Sequence, residues 1–251
     1  KENRYSKDGT MISLGEIDMR DMKIDSSGDF VLYLGGQTDS LNFLPLPKNA
    51  NMLIVRQTYK NRISQTHAKI NIKTTSSKAT PELLTAAKLD VQLNQSLAFV
   101  SGTAKTFLNW VHEFKNNHRN TLPLGDQKFF QGAGGDPKIC YLHGYYDFNE
   151  DEYMEIKTNI PDCEYWNFQL ENYWMESLDY RHYPIHINES SAILNDDKTI
   201  TIIVSHYPIS IKNNLITEGR NNGAMLLRWI GANTYPIPEV KIRKIDSLEI
   251  G

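Results

Sequence analysis

The chain has 251 residues, of which 40% are hydrophobic and 23% charged, with a formal charge of −3 at pH 7. That is enough for one large or two ordinary domains of ordinary globular composition, and it contains no low-complexity tract. A pI near 6.2 leaves no basic footprint for nucleic acid, and no run reaches the roughly 18 apolar residues that a membrane span needs.

The opening KENRYSKDGT has no apolar core resembling a signal peptide, so either the chain is cytoplasmic or its true start has been removed. Cys140 and Cys163 cannot frame a metal site by themselves; one disulfide or two free buried thiols both fit. The N-x-S triplets at Asn94 and Asn188 match glycosylation acceptors, a pattern that often arises by chance. The compartment stays open.

In chain order, residues 12–34 predict a hairpin around the turn signal DSSGD. Two further strands are expected over Met52 to Tyr59 and His67 to Ile72. In the first, Arg56 shares a face with Ile54, either reaching solvent at a strand end or placing a cation in a pocket. Thr80-Pro81-Glu82 reads as a helix start, with Thr as N-cap and Pro at the first position. Leu89, Leu93, Leu97, Val100, Ala104, Phe107, Val111 and Phe114 then recur every three or four residues. That is one continuous apolar stripe, expected in the core, with Gly102 as a place to bend. The segment 116–137, containing QGAGGDP, lacks the βα setting of a dinucleotide fingerprint and predicts a lid or a turn-rich surface loop.

From Lys138 onward strands dominate: KICYLHGYYDF, EYMEIKT, YWNFQLENYWMES, a hairpin of YPIHINESSAIL with TITIIVSHY, then GAMLLRWIGA and PEVKIRKI. The organising stretch is Tyr165 to Tyr183. At period two, Trp166, Phe168 and Leu170 share a face that continues as Asn172, Trp174 and Glu176, an apolar row turning polar without changing sides. If buried, that row ends in a cavity where an amide, an indole and a carboxylate converge; the bland alternative is that Asn172 and Glu176 cap a sheet end. Ile200, Ile202, Val204 and His206 share another face, and Arg228 lies with Leu226 and Ile230 opposite Trp229. The expected architecture is α+β, antiparallel and β-rich, with one long helix and a C-terminal jelly-roll-like β-sandwich. Residues 1–137 form its N-terminal part and 138–251 the sandwich.

Several long motifs carry a family likeness: YLHGYY at Tyr141 to Tyr146, YWNFQLENYWMESLDYR at Tyr165 to Arg181, HIN at His186 to Asn188, and TEGRNNGAMLLRWIG at Thr217 to Gly231. With them the chain resembles domain-of-unknown-function family 1214, a mainly bacterial family often found behind domain-of-unknown-function 1254. The likeness runs over nearly the whole chain. It implies a jelly-roll sandwich in the C-terminal part and brings no settled activity. Longer members carry a further N-terminal segment, which implies that this chain is a fragment or a short form. In the loop before the last Arg-Trp strand, Tyr207, Ile209, Asn214, Ile216 and Arg220 replace the family's usual Asp, Gly, Trp, Asp and His. Any family chemistry in that loop is therefore in doubt.

The chemistry is thinner than the architecture. His182 and His186 are spaced HxxxH, but with Pro184 between them on a strand they span about 13 Å, too far to share a zinc. A set drawn from His143, His206 and Glu176 is the remaining metal candidate, and neither metal nor cofactor is expected. Glu176 and Asp179 face opposite sides of a regular strand, against a simple acid/base pair. The reading is a small-molecule or carbohydrate binding or self-assembly domain, expected to form a homo-oligomer, with His143, Asn172, Trp174, Glu176, Arg181 and Arg228 around the ligand. The alternative is a hydrolase-type enzyme using Glu176 or His206 as acid/base in a Trp-lined pocket.

Overall fold

In the computed structural model, which describes residues 1–36, 39–75 and 83–247, the first third of the chain forms few regular elements. β1 (Glu2–Arg4) pairs antiparallel with β2 (Thr10–Ile12), and β3 (Tyr33–Leu34) pairs parallel with β4 (Phe43–Leu44). The hairpin expected over 12–34 does not form. Met52 to Tyr59 and His67 to Ile72 also carry no strand, and Leu53, Ile54, Val55, Ile70 and Ile72 stay exposed. The Gln57 side chain joins the two segments, donating to the Ala68 carbonyl and accepting from its N–H. Apolar alternation makes a strand only where a neighbour packs against it, and here no described element does.

α1 (Ala86–Asn117) is the one long helix, capped by Thr85, whose hydroxyl accepts from Lys88 N. The expected start at Thr80-Pro81-Glu82 lies outside the described residues. The apolar stripe is real as a pattern but only partly core. Trp110, Val111 and Phe114 are buried, whereas Leu89, Leu93, Leu97 and Val100 are exposed, Leu97 by 65%. The helix overhangs the sheet it packs on, so among the described residues nothing buries the stripe in its first turns. Gly102 does not divide it; a Cβ there would sit 2.3 Å from the Tyr5 carbonyl oxygen, so glycine lets the N-terminal chain cross the helix closely. α2 (Gln127–Gly132), capped by Asp126, occupies the segment expected to be a lid or surface loop. It forms because Phe130 is buried beside Trp110 and Phe114.

The remaining strands are β5 (Ile139–Asp147), β6 (Glu152–Asn159), β7 (Tyr165–Leu170), β8 (His186–Asn188), β9 (Thr199–Ser205), β10 (Asn214–Ile216), β11 (Asn222–Ile230) and β12 (Glu239–Lys244). They make two four-stranded sheets, ordered β5-β11-β7-β8 and β10-β9-β6-β12. All neighbours are antiparallel except β9 and β10. The hairpin expected between YPIHINESSAIL and TITIIVSHY is absent, because β8 and β9 belong to different sheets. The chain is thus α+β and mostly antiparallel.

Both sheets contribute to one apolar core. Leu142, Trp166, Phe168, Leu170, Leu227 and Trp229 come from the first, and Met154, Ile156, Ile200, Ile202 and Val204 from the second. The opposite face of the first sheet is covered by α1 and α2 through Trp110, Val111, Phe114 and Phe130. Gly144 on β5 serves that packing, since a Cβ there would meet the Thr121 carbonyl oxygen at 2.1 Å. Cys140 and Cys163 are free thiols, and burial pushes that of Cys140 up to about 11.

Candidate functional site

Alternation along β7 sends Trp166, Phe168 and Leu170 into the shared core and leaves Tyr165, Asn167, Gln169 and then Glu171 on the helix-covered face. Pairing with β11, β5 and β8 sets these polar residues in rows. Tyr141, Arg228, Asn167 and Asn188 form one row; His143, Leu226, Gln169 and His186 form the next. Glu171 N donates to Ala224 O, and Ala224 pairs with Tyr145, which extends the array by a third row.

Arg228 is the centre of this face. Its Nη1 donates to Gln169 Oε1 at 2.9 Å and to Asn167 Oδ1 at 3.4 Å. Among the described residues no carboxylate forms an ion pair with it, and the side chain lies deep beneath its neighbours while retaining partial solvent access. Burial lowers the guanidinium pKa, opposed by the charge of Glu171. The Gln169 amide passes the contact on, donating from Nε2 to Glu171 Oε1. Glu171 is buried, its second carboxyl oxygen has no partner, and burial raises its pKa to about 7 against the opposing pull of Arg228 and Gln169.

His143 lies on the same face. Phe114 stacks on its ring at 4.8 Å and Phe130 meets it edge-on at 4.7 Å. Its Nδ1 is buried without a partner. Burial, and then the Arg228 charge, hold its pKa down to about 3, so the ring is neutral across the physiological range. Arg56 approaches from the N-terminal segment and pairs with Asp136 at 3.1 Å. The same Asp136 donates its backbone N–H to the Tyr141 hydroxyl.

The other expected site residues lie elsewhere. β7 stops at Leu170, and Asn172 turns the chain. Its Oδ1 accepts from Trp174 N at 2.8 Å and Glu176 N at 3.0 Å, and its Nδ2 donates to Glu176 Oε2 at 2.7 Å. Met175 takes φ +59° to close the turn. The expectation of an inward row through Asn172, Trp174 and Glu176 is therefore corrected: an Asn side chain that captures backbone N–H groups competes with the strand ladder. Trp174 is 57% exposed. It and Glu176 border a shallow groove of about 330 Å³ against Phe99, Val100, Phe107 and Leu108 of α1.

Arg181 is a surface residue bound through one guanidinium edge, Nε and Nη2, to the two carboxyl oxygens of Asp179, whose carboxyl it holds down to about 2. His206 is buried with both ring nitrogens engaged. Nδ1 meets Thr217 Oγ1 at 2.8 Å, and Nε2 meets the carbonyls of Phe148 and Asn149 at 3.1 Å. Two carbonyl acceptors require the Nε2–H tautomer, which ties His206 to the loops as a structural link with no free nitrogen for proton transfer. His143 and Arg228 are thus the two expected residues that the fold brings to one face. Glu171, Gln169 and Asn167 are the members missed. Their signal was the second register of the same alternation, polar at every other position while Trp166, Phe168 and Leu170 were apolar. Among the described residues no group of three or more His, Cys, Asp or Glu side chains is arranged to hold a metal ion.

No protein-family model matches the chain, and no curated protein does. The crystal structure of an uncharacterised protein from Burkholderia cenocepacia superposes with a TM-score of 0.93 at 35% identity, over 98% of this chain and 69% of that one. A protein from Vibrio parahaemolyticus is 15% identical over 65% of this chain and 47% of its own, with a TM-score of 0.38, and that likeness carries no argument.

Proposed function

We propose that this chain, which belongs to the same family as the Burkholderia cenocepacia protein, is a binding module for a small polar molecule seated at Arg228 on the helix-covered face of β5-β11-β7-β8. One observation carries the reading. Among the described residues the largely covered Arg228 guanidinium meets only amide oxygens, through one of its nitrogens, and keeps partial solvent access, so its remaining N–H groups are open to a polar ligand that takes the place of water. Carbohydrate hydroxyls are suitable partners for the cluster of Asn167, Gln169 and Arg228.

The hydrolase-type alternative, expected at Glu176 or His206, is better supported at Glu171, which is buried beside Gln169 with one carboxyl oxygen unpartnered and whose pKa burial raises, as suits a general acid. Self-assembly draws support from the uncovered stripe at Leu89, Leu93, Leu97 and Val100. The likeness to domain-of-unknown-function family 1214 stands as a proposal on the motifs that carry it. So does the jelly-roll-like reading of the C-terminal half, supported by successive long strands that alternate between the two sheets.

The test is a thermal-shift screen of neutral sugars, small acids, amines and phosphate esters, repeated on Gln169→Leu. The binding reading expects at least one compound to raise the melting temperature of the parent protein and to lose that effect in the variant. A panel without a hit, or hits indifferent to Gln169, would overturn it.

A further inference from the structure

Two buried atoms on one sheet face, His143 Nδ1 and Glu171 Oε2, have no partner, and the Arg228 guanidinium on the same face keeps partial solvent access and, among the described residues, meets protein oxygens only through Nη1. Buried polar atoms nearly always find partners, so two orphans beside a cation lacking a carboxylate mark a place where a further polar group belongs. We infer that this place takes the carboxylate end of a small organic monoanion, held by the Arg228 guanidinium, with the Glu171 carboxyl donating a hydrogen bond to it. The inference rests on the binding reading above and narrows it to one ligand class.

The charge balance selects that class. The site has one deep cation, a neutral imidazole and a carboxyl that must carry a proton when an anion is beside it. A monoanion leaves such a site neutral, whereas a phosphate dianion leaves one buried negative charge without compensation. A guanidinium edge also matches a carboxylate in two parallel hydrogen bonds. Arg56 does not supply the second cation, because it already pairs with Asp136.

Gln169 and Arg228 act on the Glu171 carboxyl directly, and further ionisable and polar groups stand on the elements packed around it. Gln169 and Arg228 lie on its own face, and the Tyr146 hydroxyl donates to the Glu171 backbone carbonyl from the opposite one. His143 and Tyr145 stand on β5, and His186 on β8 pairs with Gln169. From α1 come His112, whose ring meets Tyr173, and Lys115, which lies over the rings of Tyr145 and Tyr173. With the Glu171 pKa raised to about 7 by burial, carboxylate binding weakens roughly tenfold for each pH unit above that value, since the anion requires the protonated acid.

The experiment is isothermal titration of the whole chain with acetate, benzoate and D-glucuronate, and with inorganic phosphate and D-glucose as contrasts, at pH 5.5 and 8.5. The expected result is binding of at least one carboxylate, at least tenfold tighter at pH 5.5, with proton uptake visible as a buffer-dependent heat. In Glu171→Gln, where the amide N–H₂ can still donate, binding should persist and lose its pH dependence. Arg228→Met should abolish it; if that variant does not fold, the proton uptake and the Gln variant decide alone. Failure of all three carboxylates to bind, or carboxylate binding with no pH dependence, overturns the inference. Glucose binding that is lost in Gln169→Leu, with no carboxylate bound, would overturn it while leaving the binding reading intact.

Discussion

The two faces of the sheet β5-β11-β7-β8 are built from the same strands and are both packed, but one is apolar throughout while the other sets a polar group beside its aromatic cluster. Toward the second sheet, Trp166, Phe168, Leu170, Leu227 and Trp229 are buried groups held mainly by dispersion and exclusion of water, with the Trp229 indole N–H donating to the Pro236 carbonyl. Toward the helices, Asn167, Gln169, Glu171 and Arg228 are linked by directed hydrogen bonds, His143 is held among aromatic rings, and Glu171 Oε2 and His143 Nδ1 remain unpartnered. A close-packed apolar face is tolerant of chemistry and intolerant of lost volume. A polar one is the reverse, and its unfilled valences are where specificity can reside.

Substitutions can test that contrast. The largest effect is expected on the apolar face: Phe168→Ala or Trp229→Ala should cost about 3–5 kcal/mol in urea denaturation. A loss under about 1 kcal/mol would mean that the two sheets do not share a core.

Next comes Glu171, whose folded pKa of about 7 exceeds the ordinary 4.5. The folded state then binds the proton more tightly, so stability falls as pH rises from about 4.5 through about 7, by a total of about 3 kcal/mol. His143 acts with the opposite sign. Its pKa is held down to about 3, so the stability associated with its neutral ring is lost as pH falls below about 6.5 toward about 3. The two slopes oppose one another between about pH 4.5 and 6.5. Glu171→Gln should match the parent near pH 4 and exceed its stability above pH 8. Parallel pH–stability curves for the two proteins would refute a buried acid.

A smaller change is expected from Arg228→Met, about 1–2 kcal/mol. It removes a costly buried charge but leaves the Gln169 and Asn167 oxygens without their donor. A loss above about 4 kcal/mol would make Arg228 a structural residue rather than a ligand group. The smallest effects belong to the overhanging part of α1 and the turn after β7: Leu97→Ala and Trp174→Ala should stay within about 0.5 kcal/mol. Phe114→Ala, on the same stripe as Leu97 but over the sheet, should cost several times more. Equal losses at Leu97 and Phe114 would show the helix covered along its whole length.

Much of this was legible along the chain. Alternation in YWNFQLE separated Trp166, Phe168 and Leu170 from Asn167, Gln169 and Glu171, and the same alternation set Arg228 opposite Trp229. The error was to carry the strand past Leu170, where the Asn172 side chain takes the N–H groups of Trp174 and Glu176 and ends it. That exchanged an exposed carboxylate for the buried one five residues earlier.

Periodicity, caps and turn formers are written locally, because backbone sterics and side-chain spacing act within a few residues; the sequence by itself therefore determined the long helix and the two registers of β7 and β11. Only the tertiary structure decided that His143, Arg228 and Glu171 share a face, that β8 and β9 lie in different sheets, and that the described residues bury α1 toward its C-terminal end. Those outcomes depend on which distant segments pair and on how much surface each can cover, and a one-dimensional pattern does not encode either.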